Sequence, residues 1–265
     1  MSQEKPIPNL CRKVILEGTR MTHKTEIAFA LNEHPRFVGP RKYRYHSPII
    51  SAEWGGLQNR AWGQSLINFD KVHERRALET FDLWLRLIEQ LPHLSWIVDR
   101  FHHSTMMYQK LYHLRTYHFD RIEARLAGLG FRLVLCYREP STFAKARMER
   151  LKISGNPSQY DNLEMFSREQ NELFHLFERT TLPKLIVDTS DDDVVRMTEE
   201  VVNWFQLHSA ENSQRAGHLS REPDVVRAAP QLPPRLRRKF CNRQQLCIGL
   251  GLRKTGRSVT VKLNM

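Results

Sequence analysis

A short apolar run that leads into a glycine-initiated polar loop and then into a helix-like stretch is the feature that most constrains this chain. The run begins at Lys13, the loop covers residues 18–25, and the helix-like stretch continues to Leu31. A buried strand followed by a loop of this length and a helix directs successive backbone N–H groups at one small volume. The helix N-terminus adds a further preference for anions there. The pattern therefore predicts a phosphate-binding loop in an α/β fold.

Each position of this loop has an expected role in binding the phosphates of a nucleotide. The eight loop residues are Gly18, Thr19, Arg20, Met21, Thr22, His23, Lys24 and Thr25. Lys24 is expected to reach the terminal phosphates, and the Thr25 hydroxyl to hold Mg²⁺. His23 stands where a second glycine is usual, so it adds a side chain where backbone normally approaches phosphate closely. From the loop alone, a strand–turn–helix unit without a ligand is the alternative interpretation.

A second apolar run, residues 94–98, leads directly into the pair Asp99 and Arg100. In a phosphate-loop enzyme, the carboxyl end of a second buried strand carries the acid that holds Mg²⁺ or its water. An adjacent arginine suits bidentate binding of a phosphate. Taken alone, such a pair is usually a surface ion pair. In a chain that also has a phosphate loop, its position after a strand favours a functional pair.

The residues around both motifs resemble the thymidylate kinase family. That family's signature reads Asp-Arg-Tyr-x-x-Ser-Thr-x-x-Tyr-Gln, and the similar residues here are Asp99, Arg100, Phe101, Ser104, Thr105, Tyr108 and Gln109. The stretch from Glu17 to Thr25 is similar to the family's Glu-Gly loop, and a weaker similarity extends to about Leu207. The resemblance implies transfer of the γ-phosphoryl group of ATP, with Mg²⁺, to a nucleotide or nucleoside substrate.

The alternating strand and helix patterns, with the two motifs at strand ends, predict the same fold. We expect a P-loop NTPase three-layer α/β sandwich over residues 10–207, with a mainly parallel sheet of about five strands flanked by helices. The strands around Leu16 and Val98 should be neighbours. Later core strands are expected at 131–137 and 185–188, an arginine-bearing helix at 144–150, and a closing helix at 194–207. Residues 34–38 are expected to end the first helix and begin a strand.

The resemblance also implies roles for individual side chains. Lys24 would bind the β and γ phosphates, and Thr25 and Asp99 would hold the metal. Arg100 would bind the acceptor. Arg147 and Arg150 are three residues apart and share a helix face, so they could close over the transition state, although a solvated charged face is an equal alternative.

The substrate side is expected between and after the two motifs. Arg41 and Arg44 lie in a segment that interleaves cations with aromatic residues, which could bind an anionic nucleotide or form a plain surface loop. Tyr108 and Gln109, from the family signature, complete the predicted substrate contacts together with Glu53. Glu53 is the candidate general base for a nucleoside hydroxyl, whereas a nucleotide acceptor is already an anion and needs no base.

Two loop residues keep other functions open. Thymidylate kinases carry an acidic residue at the position of Arg20, where it contacts the sugar of the accepted nucleotide, and an arginine cannot accept a hydrogen bond. Together with His23, this motivates a nucleotide-binding regulatory protein with little turnover as the alternative function. A more remote alternative is a sulfotransferase-like use of the loop, which rests on His34 and Pro35 at the entry to the predicted strand.

The net charge of +12 is concentrated in the C-terminal part of the chain of 265 residues. From Ser209 onwards there are 12 Lys and Arg against 3 Asp and Glu. Residues 208–265 also contain several prolines, so we expect a basic, flexible tail. A solvated tail is the favoured interpretation, and contact with nucleic acid or an acidic lipid surface is the alternative.

The remaining composition predicts a cytoplasmic protein. No apolar run reaches the 18 residues or so of a membrane span, and the four cysteines lack a pairing pattern or metal-ligand spacing. Four histidines, His102, His103, His113 and His118, also lack a recognised ligand spacing, so we interpret them as solvated or hydrogen-bonded. A homodimer remains open for the assembly.

Overall fold

The computed structural model describes residues 11–38, 47–58 and 63–216. The predicted substrate contacts Arg41 and Arg44 lie outside these residues, as does the predicted tail beyond Ala216. The strands are β1 (Lys13–Glu17), β2 (Ile49–Ser51), β3 (Trp96–Asp99), β4 (Phe131–Tyr137) and β5 (Lys184–Asp188). The helices are α1 (Lys24–Glu33), α2 (Pro35–Val38), α3 (Glu74–Gln90), α4 (His102–His113), α5 (Asp120–Gly128), α6 (Phe143–Leu151), α7 (Leu163–Arg179) and α8 (Val194–Ala216).

The five strands form one parallel sheet in the order β2-β3-β1-β4-β5. In the register, Ile15 of β1 lies opposite Val98 of β3, and Leu16 lies opposite Asp99. Strands buried on both faces read as continuous apolar runs, which is the pattern of β1, β3 and β4 in the sequence. The predicted α/β fold with a parallel five-stranded sheet, and the adjacency of the two motif strands, are therefore confirmed.

Helices pack on both faces of the sheet and complete three layers. On one face, Val14, Val134 and Val187 of the strands pack with residues of α1 and α8 in a single apolar cluster. Successive side chains of a strand alternate between faces, so Ile15 and Leu133 belong to the opposite face, where α5 and α7 contact β4. The amphipathic helix α3 adds a buried stripe to this side, consisting of Ala77, Phe81, Leu85 and Ile88.

The strand predicted at residues 34–38 is wrong, because these residues form the short helix α2. Pro35 is its first residue, a position where proline's fixed φ suits a helix and its missing N–H is not needed. Phe37 is fully buried and packs edge-to-face on Phe205 of α8, with ring centroids 5.3 Å apart. The sulfotransferase-like alternative thus loses the strand entry on which it rests.

The closing helix begins at Val194 as predicted, but it continues to Ala216 rather than ending near Leu207. The division into a domain over 10–207 and a tail over 208–265 remains a proposal. None of the helices in the described part of the chain combines the length and the apolar character needed to cross a membrane.

Candidate active site

Three residues of the loop between β1 and α1 have a positive φ, namely Gly18, Met21 (φ 61°) and His23. Gly18 has φ 154°, and an added Cβ would lie 2.6 Å from the Cys136 carbonyl oxygen and 2.7 Å from Thr22 Oγ1. His23 has φ 53° and ψ 18°, which is the left-handed region. Glycine reaches this region without strain, and histidine is among the side chains that occur there more often than most. His23 therefore occupies a backbone conformation that glycine reaches without strain.

The His23 ring is bound to the loop between β5 and α8. Its Nε2 lies 3.0 Å from Asp192 Oδ1, and Lys145 Nζ lies 3.2 Å from Asp192 Oδ2. Arg138 also forms an ion pair with Asp192. Burial alone would raise the pKa of Asp192, but hydrogen bonds from Arg138 and His23 hold it well below its ordinary value. Asp192 is therefore a fixed negative charge that orients His23.

Arg138 is a buried arginine beside the loop that the sequence analysis did not select. Its side chain is fully buried, and its Nε donates to the Met21 carbonyl oxygen over 2.6 Å. It follows β4 directly, so it is a charged residue at the carboxyl end of a core strand, the same signal that identified Asp99. Through Met21 and Asp192, Arg138 ties the predicted phosphate loop to the neighbouring strand ends.

Lys24, the predicted ligand of the terminal phosphates, has its ammonium group inside the loop. Its ammonium group donates to the Thr19 carbonyl oxygen over 2.5 Å and to Thr22 Oγ1 over 3.2 Å. Burial, together with the charge of Arg100, lowers the pKa of Lys24 to about 8. Near neutral pH the group is protonated, and it loses its charge at moderately alkaline pH.

Nucleotide affinity should consequently fall as the pH rises through the pKa of Lys24. Between roughly pH 7 and pH 9 we expect a loss of about tenfold, since a group with a pKa of about 8 passes from mostly protonated to mostly neutral. Calorimetric titration with ATP and with ADP at both pH values measures this change. Lys24→Arg, whose guanidinium stays protonated, should lose less affinity than the wild type. An unchanged wild-type affinity would contradict the assignment of Lys24 to the phosphates.

Thr25 and Asp99, the two predicted metal ligands, are in direct contact. Thr25 Oγ1 donates to Asp99 Oδ2 over 2.5 Å, and Asp99 Oδ1 is buried without a hydrogen-bond partner among the described residues. Burial raises the pKa of Asp99, which is the response of a carboxylate whose charge is not fully compensated. A hydroxyl beside a carboxylate oxygen with unused lone pairs is an oxygen-donor set that fits Mg²⁺.

Glu17 holds the end of β1 against the start of α4. One carboxylate oxygen accepts from the backbone N–H of Phe101 over 2.9 Å and of Ser104 over 3.2 Å, and the other accepts from the Ser104 hydroxyl. Burial raises the pKa of Glu17, while the hydrogen bonds from Ser104 oppose that rise. The segment that contains Arg100, with its left-handed φ of 63°, is thereby fixed beside the loop.

A cavity of about 480 Å³ adjoins the loop and receives several predicted side chains. Those that line it are Arg20, Glu53, Arg100 and Tyr108, together with the unpredicted Trp54, Gln159 and Glu169. Arg100 Nε lies 3.2 Å from Glu53 Oε2, and Arg20 Nε donates to Gln159 Oε1 over 3.3 Å. The cavity wall thus contains two cations and two carboxylates.

Glu169 of α7 connects the cavity wall to the loop. It is buried, and its carboxylate accepts hydrogen bonds from the Thr19 hydroxyl and, over 2.9 Å, from Tyr112. Arg20 lies 3.9 Å from the same carboxylate. Arg20 and Thr19 belong to the predicted phosphate loop, and their side chains face the cavity and α7. Sequence spacing gave no signal for Glu169, which lies far along the chain.

Gln109, Arg147 and Arg150 are the remaining predicted residues, and none of them lines the cavity. Gln109 is not among the cavity residues; its Nε2 donates to the carbonyl oxygens of Ile67 and Phe69 and so shapes the segment that forms one wall. Arg150 donates to Glu26 Oε1 over 2.7 Å, at the first turn of the loop's helix. Arg147 instead bonds the Tyr160 carbonyl and Asp161. Only Arg150 of the pair is held next to the loop.

Comparisons with known proteins give a likeness of fold alone. No model of a known protein family matches the sequence, and no curated protein matches it. The YorR protein of Bacillus subtilis, solved in complex with phosphorylated GDP, is 17% identical, with 74% of this chain and 96% of that chain covered and a TM-score of 0.49. The thymidylate kinase of Ehrlichia chaffeensis is 16% identical, with 73% of this chain and 98% of that chain covered and a TM-score of 0.44. The deoxyadenosine kinase of M. mycoides with bound dATP is 14% identical, with 74% of this chain and 99% of that chain covered and a TM-score of 0.45.

The strand–loop–helix unit and the parallel five-stranded sheet are those of the α/β fold that the sequence predicts. The sheet has β1 at its centre, with β3 and β4 as neighbours, and the loop at its carboxyl end. Ligands of open α/β sheets bind at this edge. Asp99 and Arg138, which end or follow the two flanking strands, therefore face the same region as the loop.

Proposed function

We propose that this protein is a phosphotransferase that moves the γ-phosphoryl group of ATP to a nucleotide or nucleoside. The observation that carries the proposal is the meeting of Lys24, Thr25 and Asp99 at one edge of the sheet, beside a cavity into which Arg100 projects. Asp99, on the side of the ATP donor, and Arg100, on the side of the acceptor, are consecutive residues. The two sides therefore meet at the end of one strand. Phosphoryl transfer depends mainly on such positioning and on charge stabilisation.

On the donor side, the backbone N–H groups of the loop and the Lys24 ammonium would bind the phosphates of ATP. Thr25 and Asp99 would hold Mg²⁺, which when bound neutralises charge on the β and γ phosphate oxygens. Arg138 and Asp192 would keep the loop in shape through Met21 and His23. Arg150, which binds Glu26 at the first turn of α1, would be the cation that approaches the transferred group.

On the acceptor side, the cavity has the size of a small-molecule site, which commonly measures 300–1,000 Å³. Arg100 would bind the acceptor. The charge of Arg100 lowers the pKa of Glu53, so this carboxylate is ionised near neutral pH, which is the state that a general base requires. Arg20 and Arg100 are balanced there by Glu53 and Glu169. The charge of the cavity therefore suits a neutral nucleoside as well as an anionic nucleotide.

The test is ATP consumption by the full-length protein with Mg²⁺ against a panel of nucleosides and nucleoside monophosphates. Turnover that depends on one member of the panel supports the proposal and names the acceptor. ATP hydrolysis at the same rate with and without every acceptor would contradict it. The measurement is ADP formation together with mass detection of the phosphorylated product.

Glu53→Gln is expected to separate the two classes of acceptor. If the acceptor is a nucleoside hydroxyl, loss of the general base should lower kcat by roughly 10²-fold or more. If the acceptor is a monophosphate, kcat should change little, because an anionic acceptor needs no general base. Glu79→Gln, which removes an exposed carboxylate from α3, is the matched control and should behave as the wild type. A nucleoside acceptor with an unaffected kcat would exclude Glu53 as the base.

The alternative function is a nucleotide-binding protein with little turnover. Its motivation is Arg20 together with His23, whose side chain stands in a loop position that usually has none and whose Nδ1 lacks a hydrogen-bond partner among the described residues. Equilibrium binding of ATP and ADP decides between the two functions. Micromolar binding without transfer to any acceptor supports the alternative, and measurable transfer removes it. In the proposed kinase, Asp192 holds the His23 ring in place, so the ring need not enter the phosphate site.

A further inference from the structure

Two histidines at the start of α4 and a glutamate of α5 form a buried cluster on residues that the proposed reaction does not use. The cluster consists of His102, His103 and Glu123, each of which offers one ligand atom within 4.8 Å of the others. We interpreted the histidines as solvated or hydrogen-bonded, and because both His102 and His103 are buried, they are not solvated. Their ring centroids lie 4.4 Å apart. Three potential metal ligands from two helices therefore converge on one small volume.

His102 is the more unusual of the two histidines. Its side chain is fully buried, and neither ring nitrogen has a hydrogen-bond partner among the residues that the structure describes. A neutral imidazole carries one donor and one acceptor, and leaving both unused inside a protein is unfavourable. Buried polar atoms of this kind call for an explanation, and an unseen ion is one of the recognised explanations.

The protonation states of the histidines are compatible with a metal ligand. Burial lowers the pKa of His103 to about 4 and that of His102 well below its ordinary value. Both rings are consequently neutral at physiological pH, so a nitrogen lone pair is available without displacement of a proton.

Glu123 is oriented by contacts of the kind that position metal ligands. Its Oε1 accepts from the Thr180 hydroxyl and from the Thr181 backbone N–H, the latter over 3.0 Å. Hydrogen bonds to a ligating carboxylate fix its direction and are a regular part of metal centres. Glu123 also supplies the negative charge that a divalent cation requires.

Lys184 is the cation whose charge acts on His103. Its ammonium group donates to the carbonyl oxygens of Phe177, Glu178 and Thr180. A lysine has three donors, so these contacts use all of them and leave none for the imidazole. The carboxylate of Glu123 interacts favourably with Lys184 as well, so it offsets the repulsion between Lys184 and a bound cation.

We propose that His102, His103 and Glu123 bind one divalent transition-metal ion of the zinc class. Two imidazoles and one carboxylate are ligands that Zn²⁺ accepts, whereas Mg²⁺ prefers oxygen donors alone. The ion would join the first turn of α4 to α5. Ser104, in the same turn of α4, holds Glu17, so the ion would stabilise the support behind Arg100. Its burial assigns it a structural role, and the proposal does not depend on the proposed kinase activity.

The experiment uses the full-length, untagged protein after treatment with a chelator. Co²⁺ and Zn²⁺ are titrated separately, Co²⁺ binding by visible absorption and Zn²⁺ binding by competition with a chromophoric chelator. We expect one equivalent of metal to bind and the melting temperature to rise with Zn²⁺, because a ligand that binds only the folded state stabilises it. Mg²⁺ should not displace the bound Zn²⁺.

Glu123→Gln and Asp120→Asn form a matched pair of variants on the first turn of α5. Glu123→Gln retains an oxygen that accepts from Thr180 and Thr181, so the fold should persist, but Zn²⁺ affinity should fall by more than about tenfold. Asp120→Asn removes an exposed charge outside the cluster and should bind as the wild type does. The proposal is overturned if the wild type binds no metal, or if Glu123→Gln binds Zn²⁺ as tightly as the wild type and Asp120→Asn do.

Discussion

Lys24→Met should lower the rate of ATP-dependent phosphoryl transfer by roughly 10²- to 10³-fold, the usual effect of losing one preorganised charge at a reacting phosphate. Methionine keeps the unbranched apolar stem of the side chain but lacks the ammonium group. That group lies between the Thr19 carbonyl and Thr22 Oγ1, at the centre of the loop. The measurement is kcat/KM for ATP with the acceptor that the panel identifies, at a pH near 7, where Lys24 is protonated.

Lys152→Met is the matched control for this prediction. Lys152 is exposed, follows α6 and pairs with Glu149, so its loss removes the same charge away from the loop. Its kcat/KM should be close to that of the wild type. Because Lys24→Met also removes the hydrogen bonds from Lys24 to the Thr19 carbonyl oxygen and to Thr22 Oγ1, the melting temperatures of both variants are compared first. Undiminished transfer by a folded Lys24→Met protein would contradict the assignment of the loop to the donor nucleotide.

The parts of the site that the sequence predicts are those with a local signature. The loop residues and the Asp99–Arg100 pair each follow an apolar run, so their placement at strand ends depends only on the strand preceding them. We predicted that β1 and β3 are neighbours because both motifs require the same edge of one sheet. The pairing of the two strands confirms this prediction. Gly18 is likewise fixed by local geometry, since the loop must turn sharply after β1.

The parts that the sequence does not predict depend on contacts between distant residues. Asp192 binds His23 across 169 positions, and Glu169 binds Thr19 across 150. No periodicity or spacing within either segment indicates such a partner. The same reason applies to the buried histidines, because their spacing lacks a metal pattern until the fold brings Glu123 from another helix.

The error at residues 34–38 has a tertiary cause. An apolar residue next to a β-branched one, Phe37 and Val38, suggests a strand entry, but Phe37 is fully buried against α8. Arg36 reinforces this docking through an ion pair with Glu199 of the same helix. Packing against α8, which lies at the other end of the domain sequence, therefore overrides the local preference.

Gly18→Ala should destabilise the protein strongly. The new Cβ would lie 2.6 Å from a backbone oxygen of β4, which cannot move without disturbing the sheet, and alanine would also be strained at φ 154°. Backbone strain and overpacking each cost about 1–3 kcal/mol, so the free energy of unfolding should fall by roughly 2–6 kcal/mol. For a domain of this size that corresponds to a melting temperature about 4–24 °C lower. Thermal and urea unfolding of the full-length variant measure the loss.

Gly128→Ala is the matched control, because it makes the same substitution at a position where the added Cβ has space. Gly128 is the last residue of α5, and an added Cβ there has no atom within 4 Å among the described residues. Alanine is favoured over glycine in a helix by up to about 1 kcal/mol, so this variant should be as stable as the wild type or slightly more stable. Equal stability of Gly18→Ala and Gly128→Ala would mean that the turn after β1 can relax away from β4. In that case the close approach of loop and strand would not be what requires a glycine there.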